Sequence, residues 1–116
     1  MDEKINLEEE FKKINEKSSL KDIQDYMKKM IISRGFDNET PQDIMLLLTE
    51  ELGELAKEVR KSTHIKVDEK ATRTQNLDKE IADVFNYIVC LCVATDTDLF
   101  QAFKDKEEIN QKRTWK

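Results

Sequence analysis

At 116 residues the chain has room for one small domain, and with 39% charged against 38% hydrophobic positions its core must be lean or shared with a second chain. Twenty Lys and Arg against 25 Asp and Glu, a net charge of -5, leave no phosphate-neutralising excess; this excludes a general surface for polymeric nucleic acid but not a small phosphorylated ligand held through a metal. Two Gly and one Pro are too few for the turns of an all-β chain, and no apolar run approaches the roughly 18–20 residues that cross a bilayer, so an all-α cytoplasmic protein with no membrane partner is expected.

Residues 1–18 are highly charged, with Ile5, Leu7, Phe11 and Ile14 at loosely helical spacing, and form a charged N-terminal helix or arm. The main helical domain is assigned to 19–116. Ser19 and Asp22 make a capping box that opens a helix through about Arg34, with Leu20, Ile23, Met27, Met30 and Ile31 on its apolar face. Residues 35–39 are a loop. Thr40 and Pro41 then supply the N-cap and first position of a helix whose apolar residues Ile44, Leu47, Leu48, Leu52, Leu55 and Val59 carry it to about Lys61.

The polar stretch 62–76 reads as a loop. A third helix follows over about 77–94, nearly apolar after its first two turns and therefore expected to be central and buried. Asp98 and Gln101 offer another capping box for a last helix to about Lys112. The architecture is an antiparallel bundle of four to five helices, completed by dimerisation because the 77–94 helix has more apolar surface than one small bundle covers. A monomer covered by the N-terminal arm is the alternative. Cys90 and Cys92 suit neither a zinc knuckle nor a mutual disulfide and read as reduced core residues.

The acidic residues of the two longest helices form a pattern of their own. With about 100° of turn per residue, Glu51 falls roughly 20° from Ile44, at the border of the apolar stripe, and Glu54 stands one turn further along. Glu80 and Asp83 repeat the i, i+3 spacing at the start of the 77–94 helix. Carboxylates facing a bundle interior are costly unless a cation pairs with them, and two such pairs from two helices make an oxygen cage for a hard divalent ion. Mg²⁺ suits it, with Mn²⁺ as a substitute, since substrate phosphates can complete the coordination. A di-iron site is excluded by the lack of a Glu-x-x-His motif, His64 being the one histidine. The competing reading is a solvated acidic face, Glu50, Glu51, Glu54 and Glu58 pairing with Lys57 and Lys61.

Glu50-Glu51-Leu52-Gly53-Glu54, followed by Glu80-Ile81-Ala82-Asp83, resembles the E-E-x-x-E … E-x-x-D signature of the all-α nucleoside triphosphate pyrophosphohydrolases, in particular the MazG-like family. The resemblance extends over about residues 19–115, through the Arg34-Gly35-Phe36 turn and Asn110, Arg113 and Trp115. It implies hydrolysis of a nucleoside or deoxynucleoside triphosphate between the α and β phosphates, with Glu51, Glu54, Glu80 and Asp83 as metal ligands. Glu50 would orient or deprotonate the attacking water. Lys106, Asn110 and Arg113 would contact the triphosphate, and Tyr87 would border the base. Each has an ordinary alternative: helix C-terminal surface charge for the first group, a core aromatic for Tyr87.

Relatives that cleave pyrimidine deoxynucleotides often carry Trp around the base pocket, whereas the one Trp here is Trp115 and the turn carries Phe36. The resemblance to the phosphoribosyl-ATP pyrophosphohydrolases of histidine synthesis is limited to the carboxylate logic. A homodimer or dimer of dimers is expected. A non-catalytic helical dimer serving as nucleotide sensor or partner-binding module is the second functional reading, against which stands the presence of all five acidic motif positions.

Overall fold

The computed structural model describes residues 4–63 and 76–115, and among these every regular element is helical. Helix α1 is Leu7–Lys12, α2 Leu20–Ser33, α3 Pro41–Ser62, α4 Leu77–Ala94 and α5 Leu99–Gln111. The all-α expectation therefore holds. No helix among the described residues is long and apolar enough to cross a membrane. The expected loop at 62–76 lies almost wholly outside the described residues, and its first residue, Ser62, belongs to α3.

Helix starts follow local chemistry. Ser19 Oγ accepts from the Asp22 N–H at 3.0 Å while the Asp22 carboxylate accepts from the Ser19 N–H at 2.9 Å; Thr40 and Asp43 repeat the reciprocal pair at 3.1 and 3.0 Å. With Pro41 needing no N–H partner, α3 starts two residues before Asp43. Only half of the third box forms. Asp98 accepts from the Gln101 N–H at 3.1 Å, but the Gln101 amide turns forward to donate to Asp105 at 2.8 Å.

Two helix ends use the same left-handed cap. Gly35 (φ 75°) closes α2, with Gly35 N–H on the Ile32 carbonyl and Phe36 N–H on that of Ile31. At the end of α4 the equivalent position is Asp96 (φ 54°), with Asp96 N–H on the Val93 carbonyl and Thr97 N–H on that of Cys92. An L side chain is strained in this conformation and glycine is not. Asp96→Gly is therefore expected to raise stability by about 0.5–1 kcal/mol, a few degrees in melting temperature for a chain this size. Equal or lower stability in a urea titration would show that Asp96 is not strained.

The chain divides into two compact units, Met1–Glu39 with Cys92–Lys116, and Thr40–Leu91. In the first, Met27, Met30 and Ile31 of α2 are buried, as is Cys92, and α2 packs against α1 and α5. Helix α1 is shorter than the charged segment suggested and buries no residue; it is held by Phe11, whose ring lies 6.1 Å from that of Tyr26, and by Glu10, 3.1 Å from Lys29. Lys29 and then Lys13 hold the Glu10 carboxyl below its ordinary pKa. Neither Cys90 nor Cys92 forms a disulfide, and burial pushes the Cys92 thiol up, the state of an unreactive core cysteine.

In the second unit Ile44, Leu48 and Val89 are buried, together with Glu58, whose carboxylate lies 3.6 Å from Lys61. The burial of Glu58 departs from the competing reading of a solvated acidic face. Helix α4 departs from the expectation of full burial, since Ile81 and Ile88 remain 53% and 39% exposed. One short chain has too few apolar side chains to enclose a helix that is apolar on every side.

Candidate metal centre

On α3, Glu51 stands one turn after buried Leu48 and one turn before half-buried Leu55, so its side chain leaves the helix beside the apolar stripe and is itself half-buried. On α4, Glu80 lies in the first turn, where the helix dipole favours negative charge, and Asp83 stands one turn further along. The start of that helix is set by the Asn76 carbonyl accepting from the Glu80 N–H at 2.9 Å.

These placements bring Glu51, Glu80 and Asp83 together: one carboxylate oxygen from each lies within 4.8 Å of the other two. Glu80 Oε2 is buried and has no hydrogen-bond partner. The Glu51 carboxyl is pushed above its ordinary pKa, first by burial, then by a shared hydrogen bond with Glu80 and by the negative charges of Glu80, Asp83 and Glu54. Among the described residues no Lys or Arg forms an ion pair with any of these four carboxylates.

Three clustered carboxylates, one with an orphaned buried oxygen, are a donor set of hard ligands suited to a divalent cation, and they contain no soft or imidazole ligand. Glu54 is exposed and adds charge to the cluster without joining the three close oxygens. Glu50 is exposed on the same turn of α3, and Tyr87, one turn past Asp83, is half-buried.

Lys106, Asn110 and Arg113 lie on or just past α5, in the other compact unit. Lys106 is exposed. Asn110 buries Oδ1 without a hydrogen-bond partner, and the Arg113 guanidinium sits 4.9 Å from the centre of the Trp115 ring. Glu58 escaped the sequence reading as a buried group. Its position on the same acidic face gave no local signal, although its i+3 lysine is visible in the sequence.

The raised Glu51 pKa has a direct consequence for the metal-free protein. The folded state holds a proton that the unfolded chain has released, so this contribution to stability is present near pH 4.5 and is lost as pH rises through the raised pKa. Thermal melts in chelator should show this carboxyl cluster lowering the melting temperature as pH rises above about 4.5, and Glu51→Gln should remove that slope. An unchanged slope in Glu51→Gln would contradict the assignment.

Residues 39–115 match the MazG nucleotide pyrophosphohydrolase domain. The chain is also 34% identical over 84 residues to the uncharacterized protein YpjD of Bacillus subtilis (strain 168), an alignment covering 72% of this chain and 76% of that protein. No solved structure matches significantly. The matched span contains both carboxylate motifs and runs through α3, α4 and α5, and the chain thus belongs to the MazG nucleotide pyrophosphohydrolase domain family.

Proposed function

We propose that the protein hydrolyses a nucleoside or deoxynucleoside triphosphate between the α and β phosphates, releasing the monophosphate and pyrophosphate, and that it requires Mg²⁺ or Mn²⁺. The observation that carries the reading is the convergence of Glu51, Glu80 and Asp83 around a buried, unpartnered Glu80 oxygen. These three hold the ion, with Glu54 as a fourth ligand. An ion held there would neutralise triphosphate charge and lower the pKa of a water.

Glu50, exposed on the turn of α3 that carries Glu51, would orient the attacking water and accept its proton. Tyr87 borders the base, and Lys106, Asn110 and Arg113 contact the phosphates. The catalytic domain is 19–116, with 1–18 as an arm, and its site of action is the cytoplasm. Incubation with each NTP and dNTP in Mg²⁺ is expected to release pyrophosphate from at least one. Folded, metal-loaded protein that releases none would sink the enzyme reading and leave the sensor.

The working form is a homodimer or a dimer of dimers. On α3 the large apolar residues Met45, Leu52 and Val59 recur every seven positions at 46%, 48% and 44% exposure, with the smaller Thr49 and Ala56 between them at the 4-3 spacing of a helix-packing seam. Ile81 and Ile88 of α4 repeat the same interval. A second copy covering these faces would supply the core that one chain lacks.

A further inference from the structure

Between α1, the turn that follows it, and α2 lies an open cleft of about 350 Å³, lined by Ile14, Tyr26 and charged side chains of both helices. Its charge is divided into two poles. At one, the Glu10 carboxylate holds two ammonium groups, Lys13 at 3.3 Å through Oε1 and Lys29 at 3.1 Å through Oε2, so a single negative charge meets two positive ones and each lysine keeps further N–H groups to donate. At the other, Asp22 and Asp25 stand one turn apart on the same face of α2. Asp22 uses one oxygen on the Ser19 N–H, and among the described residues Asp25 makes no hydrogen bond or ion pair. Lys29 follows Asp25 by one turn, the spacing at which opposite charges on a helix pair, yet it reaches across to α1 instead. The two poles therefore stand about 6 Å apart along the helix without neutralising each other.

We propose that this cleft binds a small zwitterion, an amino acid, with its carboxylate at Lys13 and Lys29 and its ammonium group at Asp25 and the second oxygen of Asp22. Other ligand classes match the lining less well. Among the described residues the carboxylates close enough to share a metal ion are those of Glu51, Glu80 and Asp83, none of them in this cleft. A simple anion meets three carboxylates against two ammonium groups, and a simple amine leaves the lysine pole unused. The volume is at the lower end of the range for small-molecule pockets, and the Tyr26 hydroxyl, which bonds to no other described residue, faces the same space. Because Lys13 follows α1 and Asp25 belongs to α2, the ligand bridges the two helices. Helix α1 has 6 residues and buries none of them, too short to persist without packing. Occupancy of the cleft fixes it to α2. The site is separate from the carboxylate centre of α3 and α4, and the proposal does not depend on the reaction assigned there.

Titration of the full chain with each of the common amino acids, followed by ¹⁵N–¹H NMR and amide hydrogen exchange, tests the proposal. At least one amino acid is expected to shift the Tyr26 and Lys29 amides saturably with a Kd of about 1 mM or tighter. At roughly ten times that Kd, exchange of the α1 amides is expected to slow about tenfold, since the opened arm does not hold the ligand. Asp25→Asn and Lys13→Gln remove one pole each at exposed positions, where the fold tolerates them, and each is expected to weaken binding about tenfold. The matching amine and the matching carboxylic acid, each lacking the other charge, are expected to bind at least about tenfold more weakly than the amino acid. Three outcomes overturn the assignment: no saturable shift from any amino acid up to about 50 mM, an amine or acid that binds as tightly as the amino acid, or unchanged affinity in either variant. Saturation of the Tyr26 and Lys29 shifts with no slowing of α1 exchange overturns the bridging of α1 to α2.

Discussion

Replacing Glu80 with Gln is expected to cut turnover by at least about a hundredfold, the scale of removing one charged group from a phosphoryl-transfer site, and to leave the metal-free protein more stable than wild type. Both effects come from one geometry. Glu80 shares a hydrogen bond with Glu51, stands near Asp83 and buries Oε2 without a partner, so without a cation it is a charge the fold accommodates at a cost. The neutral amide that Glu80→Gln introduces can donate where the carboxylate repels. A gain of about 1 kcal/mol would raise the metal-free melting temperature by several degrees, and the further stabilisation expected of Mg²⁺ in the wild type should disappear. Melts in chelator and in Mg²⁺, beside turnover, check all three. Normal turnover would remove Glu80 from the ligand set, and a lower melting temperature in chelator would refute the repulsion argument.

Leu52→Lys is expected to turn the proposed dimer into a monomer. Leu52 lies in the middle of the Met45–Leu52–Val59 stripe and is 48% exposed in the single chain. Covering the remaining half of a Leu contributes roughly 1–1.5 kcal/mol per copy, and two-fold symmetry counts it twice. The two new ammonium groups must also lose water or repel. Together these terms weaken association by at least about a hundredfold, which sedimentation velocity at micromolar concentration resolves. A variant that sediments as the wild type would place the interface on another face, and a wild type that is itself monomeric would remove the dimer.

Local chemistry made most of the helix boundaries legible. Ser19 with Asp22, and Thr40 with Pro41 and Asp43, satisfy orphan N–H groups within a few residues of themselves, so their geometry is written in adjacent sequence. The cluster was legible for a related reason. Helical spacing puts Glu80 and Asp83 on one face of α4 and Glu51 at the border of the apolar stripe, and the structure brings these three together. Glu54 shares the motif but points further from the stripe, and it stays exposed outside the three close oxygens.

What escaped the sequence depends on partners distant in the chain or on competition between equivalent groups. Gln24 looks like any polar residue on a helix surface until Thr97 and Leu99 are folded against it. Gln101 has two available hydrogen bonds, back to the cap or forward to Asp105, and spacing alone does not choose between them. The exposure of Ile81 and Ile88 follows from how much apolar surface one chain can enclose, a property of the whole assembly rather than of any window.

If the clustered carboxylates direct hydrolysis to one bond of a nucleoside triphosphate, the products identify that bond. ³¹P NMR of the reaction with the best substrate of the nucleotide panel, in Mg²⁺, reads them most directly. Equal amounts of nucleoside monophosphate and pyrophosphate, absent with Glu80→Gln, are the expected result. Nucleoside diphosphate and orthophosphate would contradict it, because the cleavage would then lie at the terminal phosphate.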